Sequence, residues 1–205
     1  MKIHLHKNDL PADIHFGKSV AIDTEAMGLN PLRDRLCVVQ LSSGNGECHL
    51  VQMLPEAKYK APQLSQLLED PHILKIFHYA RFDVAILNHY LQVKTGPIYC
   101  TKIASKLART YTDRHGLKDL CAELLDVELN KEAGSSDWGQ NQLTKEQEKY
   151  AGSDVLYLHR LKEKLDMMLA RENRNEVAQK YFDFLPTVAE MDLKEFSTHY
   201  LFSHQ

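Results

Sequence analysis

Ser19-Val20-Ala21-Ile22-Asp23-Thr24-Glu25-Ala26-Met27-Gly28-Leu29-Asn30-Pro31 is the stretch on which the fold turns. An apolar, β-branched run reads as a buried strand over Val20–Asp23, and it closes on an Asp-x-Glu pair before a Gly-Leu-Asn-Pro turn. Side chains two apart on a strand point to one face, so Asp23 and Glu25 can share a cation. An acidic pair on a solvated face is the bland alternative, and the apolar run ahead of it argues for the site. Two further segments supply more carboxylates: His78-Tyr-Ala-Arg-Phe-Asp83 and Tyr150-Ala-Gly-Ser-Asp154. Carboxylates gathered at one point repel each other and resist desolvation, so a fold that concentrates them needs a hard cation there. Oxygen donors without thiolate suit Mg2+ or Mn2+. Two such ions about 3.5–4 Å apart stabilise the attacking and leaving oxygens of a phosphodiester displacement, and a two-metal nuclease is the reading these residues support.

Outward from Asp23, the chain reads as a short meander followed by alternating elements. Leu36–Leu41 is a strand across the turn-rich segment 28–35, and Gly44-Asn45-Gly46 signals a hairpin into a strand over Cys48–Gln52. Pro62–Leu68 reads as helix, Ile73–Phe77 as a short strand, Phe82–Leu91 as helix and Ile98–Cys100 as a further strand. From Thr101 the chain reads as mostly helical, with one long helix from Thr144 to about Arg171 that opens on a Thr144/Gln147 capping box. That order predicts an α/β fold, a mixed sheet flanked by helices. Asp83 falls in the first turn of a helix, where a carboxylate also serves as an N-terminal charge. Tyr150 and Asp154 are four apart on one helix and share a face.

With 205 residues, 43% hydrophobic and 26% charged, the chain suits one well-buried domain over 1–205. Its catalytic core spans about 17–170, ahead of an aromatic C-terminal tail over 181–205. No apolar run approaches a membrane span, and the N-terminus lacks a signal-peptide segment, so no membrane partner and a cytoplasmic location are expected. Cys37, Cys48, Cys100 and Cys121 form no C-x-x-C pair and are expected as buried free thiols. A net charge of −3 argues against tracking along long nucleic acid, which needs a basic surplus, but not against a substrate with one or two phosphates. Tyr181, Phe182, Phe184, Phe196, Tyr200 and Phe202 either cover the domain's own core or pack against a neighbouring subunit.

Taken in order, Asp23-Thr-Glu25, His78-x4-Asp83 and Tyr150-x3-Asp154 resemble the three motifs of the DEDD superfamily of 3′-5′ exonucleases. The tyrosine type is indicated, because the histidine type needs His five residues before Asp154 and position 149 is lysine. Gly116-Leu-Lys-Asp-Leu120, Ser136-Asp-Trp138, Leu143-Thr-x-x-Gln147 and Asp154-Val-Leu-Tyr-Leu158 are similar to ribonuclease D, over roughly residues 17–165. Two departures are the absence of that family's C-terminal helical domains and Cys100 where aspartate is common. With Asp113-Arg-His-Gly116 and the aromatic tail, the chain looks most like the nanoRNase C (NrnC) branch.

This resemblance implies a ribonuclease H-like fold and a metal-dependent 3′-5′ exonuclease that degrades short single-stranded RNA, dinucleotides included, as a homo-octamer. It implies two divalent cations, Mg2+ or Mn2+, held by Asp23, Glu25, Asp83 and Asp154, with Asp23 bridging and Asp83 completing the site. Tyr150 orients or deprotonates the attacking water, and the product is a 5′-mononucleotide. Leu29 stands where related enzymes wedge an apolar side chain between bases, and His78, Arg114 and His115 are candidate substrate contacts. Trp138 is expected in packing rather than on a base. Trimming of structured RNA ends, hydrolysis of DNA, and an inactive binding module are the rival readings; no residue can be assigned to the 2′-OH that separates RNA from DNA.

Overall fold

In a computed structural model, which describes residues 1–129, 136–196 and 203, six strands form one sheet in the order β1-β4-β3-β2-β5-β6. These are β1 Lys2–Lys7, β2 Ser19–Ala26, β3 Leu36–Ser42, β4 Glu47–Gln52, β5 Leu74–Phe77 and β6 Ile98–Cys100. β2, β3 and β4 form the antiparallel meander, while β5 joins β2, β6 joins β5 and β1 joins β4 in parallel. The helices are α1 Pro62–Glu69, α2 Ala80–Leu91, α3 Thr101–Ala108, α4 Leu117–Leu125, α5 Lys145–Leu156, α6 Leu158–Arg171 and α7 Asn175–Leu193. The expected mixed sheet flanked by helices is therefore present.

Burial explains why the central strands read so clearly. Every residue of β3 is buried, including Gln40 and Ser42, as expected for a strand covered on both faces. Val20, Ala21 and Ile22 of β2 are fully buried, between the part-exposed Ser19 and Asp23. All four cysteines are free and buried, as expected.

Three features depart from the sequence reading. β1 was not foreseen; it lies at the sheet edge, where only one neighbour restrains it. The expected long helix after Thr144 is two helices that meet at Tyr157. α5 lies on the β1–β4 part of the sheet, whereas α6 packs on α3, α4, α7 and β5, and one straight rod cannot reach both surfaces. Just past the break, His159 closes on the hairpin: a Cβ at Gly44 would stand 2.9 Å from its ring. The third departure is α7, which runs through Pro186 and takes up the front of the aromatic stretch. Phe182 is buried, its ring 4.5 Å from that of Tyr99, and Arg81 Nε donates to Asp192 Oδ2 at 2.6 Å, tying α2 to α7. Tyr181, Phe184 and Phe196 are exposed, so this stretch serves the core with one ring and leaves three outside. Tyr200 and Phe202 lie outside the described residues.

Candidate active site

β2 presents Asp23 and Glu25 on the face that α5 covers. Asp23 pairs with Gln40 and Glu25 with Val38 across the antiparallel ladder, and a bulge follows at Glu25/Ala26, where the strand gives way to the turn. Asp154 of α5 joins them: donor atoms of Asp23, Glu25 and Asp154 lie within 4.8 Å of one another. Asp83 comes from the first turn of α2, with 4% of its surface exposed. It accepts a 2.6 Å hydrogen bond from Thr24 Oγ1, whose residue lies between the two acidic positions of β2. These four carboxylates and Tyr150 line one cavity of about 610 Å³. Three elements far apart in sequence thus converge at one end of β2.

The register of α5 decides where Tyr150 and Asp154 point, and a chain of contacts fixes it. Thr144 Oγ1 accepts from Gln147 N at 3.1 Å while Gln147 Oε1 accepts from Thr144 N at 2.9 Å, the reciprocal capping box. The same Gln147 amide donates to Asp137 O at 2.9 Å and to Ser136 Oγ at 3.0 Å. Arg35 Nη2 donates to Gly139 O at 2.9 Å, so the loop after β2 and the lead-in to α5 brace each other. Trp138 is buried with its ring 6.0 Å from that of Tyr150; it packs behind the tyrosine rather than offering a face to a base.

Crowding dominates the electrostatics. Burial, then the charges of Asp83, Asp154 and Glu25, push the Asp23 carboxyl well above its ordinary range. Burial with Asp154 and Asp83 lifts Glu25 to about 9, and burial lifts Asp83 to about 7 against the opposing Thr24 bond. A divalent cation displaces the protons that these oxygen donors would otherwise keep at neutral pH. The donor set fits such an ion. These raised values also fix the sign of a pH effect. The folded metal-free chain binds more protons than the unfolded chain between the ordinary carboxylate range near 4 and the raised value near 9. Its stability should therefore fall as pH rises through that window. Thermal melts of chelator-treated protein should show Tm declining from about pH 5 to about 9, with Mg2+ stabilising it more at the alkaline end. A Tm that rises with pH in the absence of metal would contradict this electrostatic account.

Around the carboxylates, the substrate candidates divide. Leu29 is 87% exposed at the cavity mouth, on a turn with no room for a side chain at Gly28, where a Cβ would stand 2.2 Å from Asp34 Oδ2. His78 lines the cavity, with its Nδ1 2.9 Å from Thr101 Oγ1, which itself donates to Phe77 O at 3.1 Å. Cys100 is buried one residue before Thr101, at the cap of α3. Arg114 and His115 do not line this cavity. Arg114 donates to Asp119 Oδ1 from Nε and Nη2 at 3.0 and 2.7 Å, and His115 Nδ1 lies 2.8 Å from Ser105 Oγ. Buried Arg109 ties down their loop through Ser105 and Arg114 O. Lys118 and Tyr79, given no role from the sequence, do line the cavity. The Gly116-Leu-Lys118 motif was the available signal for the lysine, the one Lys or Arg among the described residues of these walls.

Residues 7–170 match the model of the 3′-5′ exonuclease family. The chain belongs to that family. Among curated relatives, the ribonuclease D of Gluconacetobacter diazotrophicus is 34% identical over 155 residues, 76% of this chain and 39% of the relative. The ribonuclease D of Granulibacter bethesdensis is 32% identical over the same share of this chain. The chain thus spans about two fifths of the curated relatives it matches. Among solved structures, Brucella melitensis NrnC with bound Mg2+ is 51% identical, with a TM-score of 0.95 and all of both chains covered; the same protein bound to pGG is 52% identical at the same TM-score and coverage. Escherichia coli RNase D, 23% identical with a TM-score of 0.72 over 84% of this chain and 45% of its own, shares the fold. Within that family match lies the acidic group of Asp23, Glu25 and Asp154.

Proposed function

We propose that this chain is a metal-dependent 3′-5′ exoribonuclease that hydrolyses short RNA oligonucleotides, dinucleotides included, to 5′-mononucleotides, using two Mg2+ or Mn2+ ions. The convergence of Asp23, Glu25 and Asp154 within 4.8 Å beside Asp83, in a cavity that opens past Leu29, carries the reading. Whole-chain similarity to a protein bound to Mg2+, and to pGG in another structure, supports the substrate class. When bound, the cations supply charge stabilisation to the attacking and leaving oxygens and lower the pKa of water.

The chain's own residues do the rest. Asp23, Glu25 and Asp154 hold the cations in the open cavity, and Asp83, fixed by Thr24, closes the acidic set from the α2 side. Tyr150 keeps its hydroxyl proton, because burial and the charge of Asp154 raise its pKa above the ordinary value; it therefore orients the attacking water as a hydrogen-bonding group. Leu29 offers an apolar surface for a terminal base, and His78 and Lys118 offer donors to phosphate or ribose oxygens. A cavity of this size with a net charge of −3 favours short substrates, where local cations replace a long basic track.

The exposed Tyr181, Phe184 and Phe196 are consistent with assembly into a homo-oligomer, an octamer by resemblance. One experiment tests substrate class and assembly together. Initial rates on a length series from dinucleotide to twenty-mer, in RNA and in DNA, should fall with length and favour RNA. Light scattering on the same preparation should give several times the 23.6 kDa chain mass. Rates that rise with length would favour trimming of longer RNA ends, a DNA preference would replace the substrate, and a monodisperse monomer would remove the assembly.

A further inference from the structure

On the sheet face opposite Asp23, the edge strand carries a second group of metal-binding side chains. Along β1 the residues Lys2, His4 and His6 alternate onto one side, and the parallel register sets His4 against His49 and Lys2 against Glu47 of β4. His49 stands opposite Leu41 of β3, which pairs with Ile22 of β2. Its side chain therefore leaves the sheet on the face away from Asp23 and Gln40. His4 Nε2 lies 3.0 Å from Glu47 Oε2, and His6 Nε2 lies 3.0 Å from His49 Nδ1. The three rings are nearly parallel: His4 and His49 stack at 4.8 Å, and His6 and His49 at 5.3 Å. Phe16 closes one side, its ring edge-on to His49 at 5.6 Å.

We propose that His4, Glu47 and His49 bind one transition-metal dication of the zinc class, with His6 holding the His49 ring in place, at a site separate from the catalytic carboxylates. Their donor atoms lie within 4.8 Å of one another on part-exposed side chains, open to an ion in solution. Tetrahedral zinc with ligands at about 2.0–2.2 Å needs donors roughly 3.3 Å apart, so side-chain rotation of about 1.5 Å or less closes the set. Two imidazoles with a carboxylate select zinc-class ions over Mg2+, which prefers oxygen ligands and retains water. Neutral rings are the ligating form. As a ligand whose Nδ1 lies 3.0 Å from His6 Nε2, His49 has the outer support such sites use. Bound metal would pin β1, an edge strand, to β4.

Zinc titration of the chelator-treated full chain in excess Mg2+, read by calorimetry and by the absorption of Co2+ in tetrahedral coordination, tests the site. One equivalent should bind with imidazole ligation and raise Tm. That equivalent should persist in Asp23→Ala, which disables the carboxylate site. His49→Gln and His4→Gln should each weaken binding by more than the ~10–100-fold typical of outer partners, while Mg2+-dependent hydrolysis stays at the wild-type rate. Should His49→Gln fail to fold by circular dichroism, His4→Gln on the edge strand decides alone. No zinc binding in excess Mg2+, or binding that survives His4→Gln, overturns the proposal.

Discussion

Asp23→Ala should abolish hydrolysis and leave the metal-free protein at least as stable as the wild type. Asp23 is raised by the charges of Asp83, Asp154 and Glu25 together, and it stands on a strand whose inner half, Val20–Ile22, is fully buried. Its position is therefore fixed by the buried strand that carries it. On the proposed function, loss of this carboxylate would weaken cation binding at the reacting phosphate; about 5 kcal/mol of lost transition-state stabilisation corresponds to ~10⁴-fold in rate. The same substitution relieves repulsion against Asp83, Asp154 and Glu25, so Tm without metal should hold or rise. The rise in Tm on adding Mg2+ should largely disappear. A folded, pure Asp23→Ala protein with substantial metal-dependent turnover would falsify the assignment of the first motif.

Much of this site was legible because each part depends on local physics. The β-branched run before Asp23, the two-residue period that puts Glu25 on the same face, and the Thr144/Gln147 cap that sets the register of α5 are all decided within a few residues. The unforeseen parts depend on partners distant in sequence. β1 carries alternating Lys2, His4 and His6 against Ile3 and Leu5, a period of two, but its pairing partner is β4, 45 residues away. The break at Tyr157 arises because α5 and α6 serve different surfaces, and nothing in Leu156-Tyr157-Leu158 forbids a continuous helix. Arg114 and His115 were expected as substrate contacts from the family resemblance; their side chains are turned by Asp119, Ser105 and the buried Arg109, which only the assembled α3–α4 corner brings together. Lys118 shows the reverse case: its motif was visible, yet its place on the cavity wall needed α4 to be docked.

Tyr150→Phe should lower the rate on the order of 10²–10⁴-fold, the range for a positioned acid–base or hydrogen-bonding group, while metal and substrate binding change little. The ring stays packed near Trp138 in this substitution, so the fold and the register of α5 are preserved and only the hydroxyl is lost. What that hydroxyl does follows from its surroundings. Burial, then the charges of Asp154, Glu25 and Asp23, hold its pKa above the ordinary value near 10, so it remains protonated across the range in which such an enzyme is assayed. Bound cations oppose the carboxylate part of that shift and leave the burial part in place. A neutral hydroxyl can accept a hydrogen bond from water and donate one to a carboxylate, which on the proposed function suits it to orient the nucleophile rather than to remove its proton. The loss in Tyr150→Phe should accordingly be a nearly constant factor across the pH–rate profile, with the alkaline limb kept. A loss confined to high pH, or a limb that vanishes with the hydroxyl, would assign Tyr150 as the base. A wild-type rate would leave water positioning to the carboxylates and cations alone.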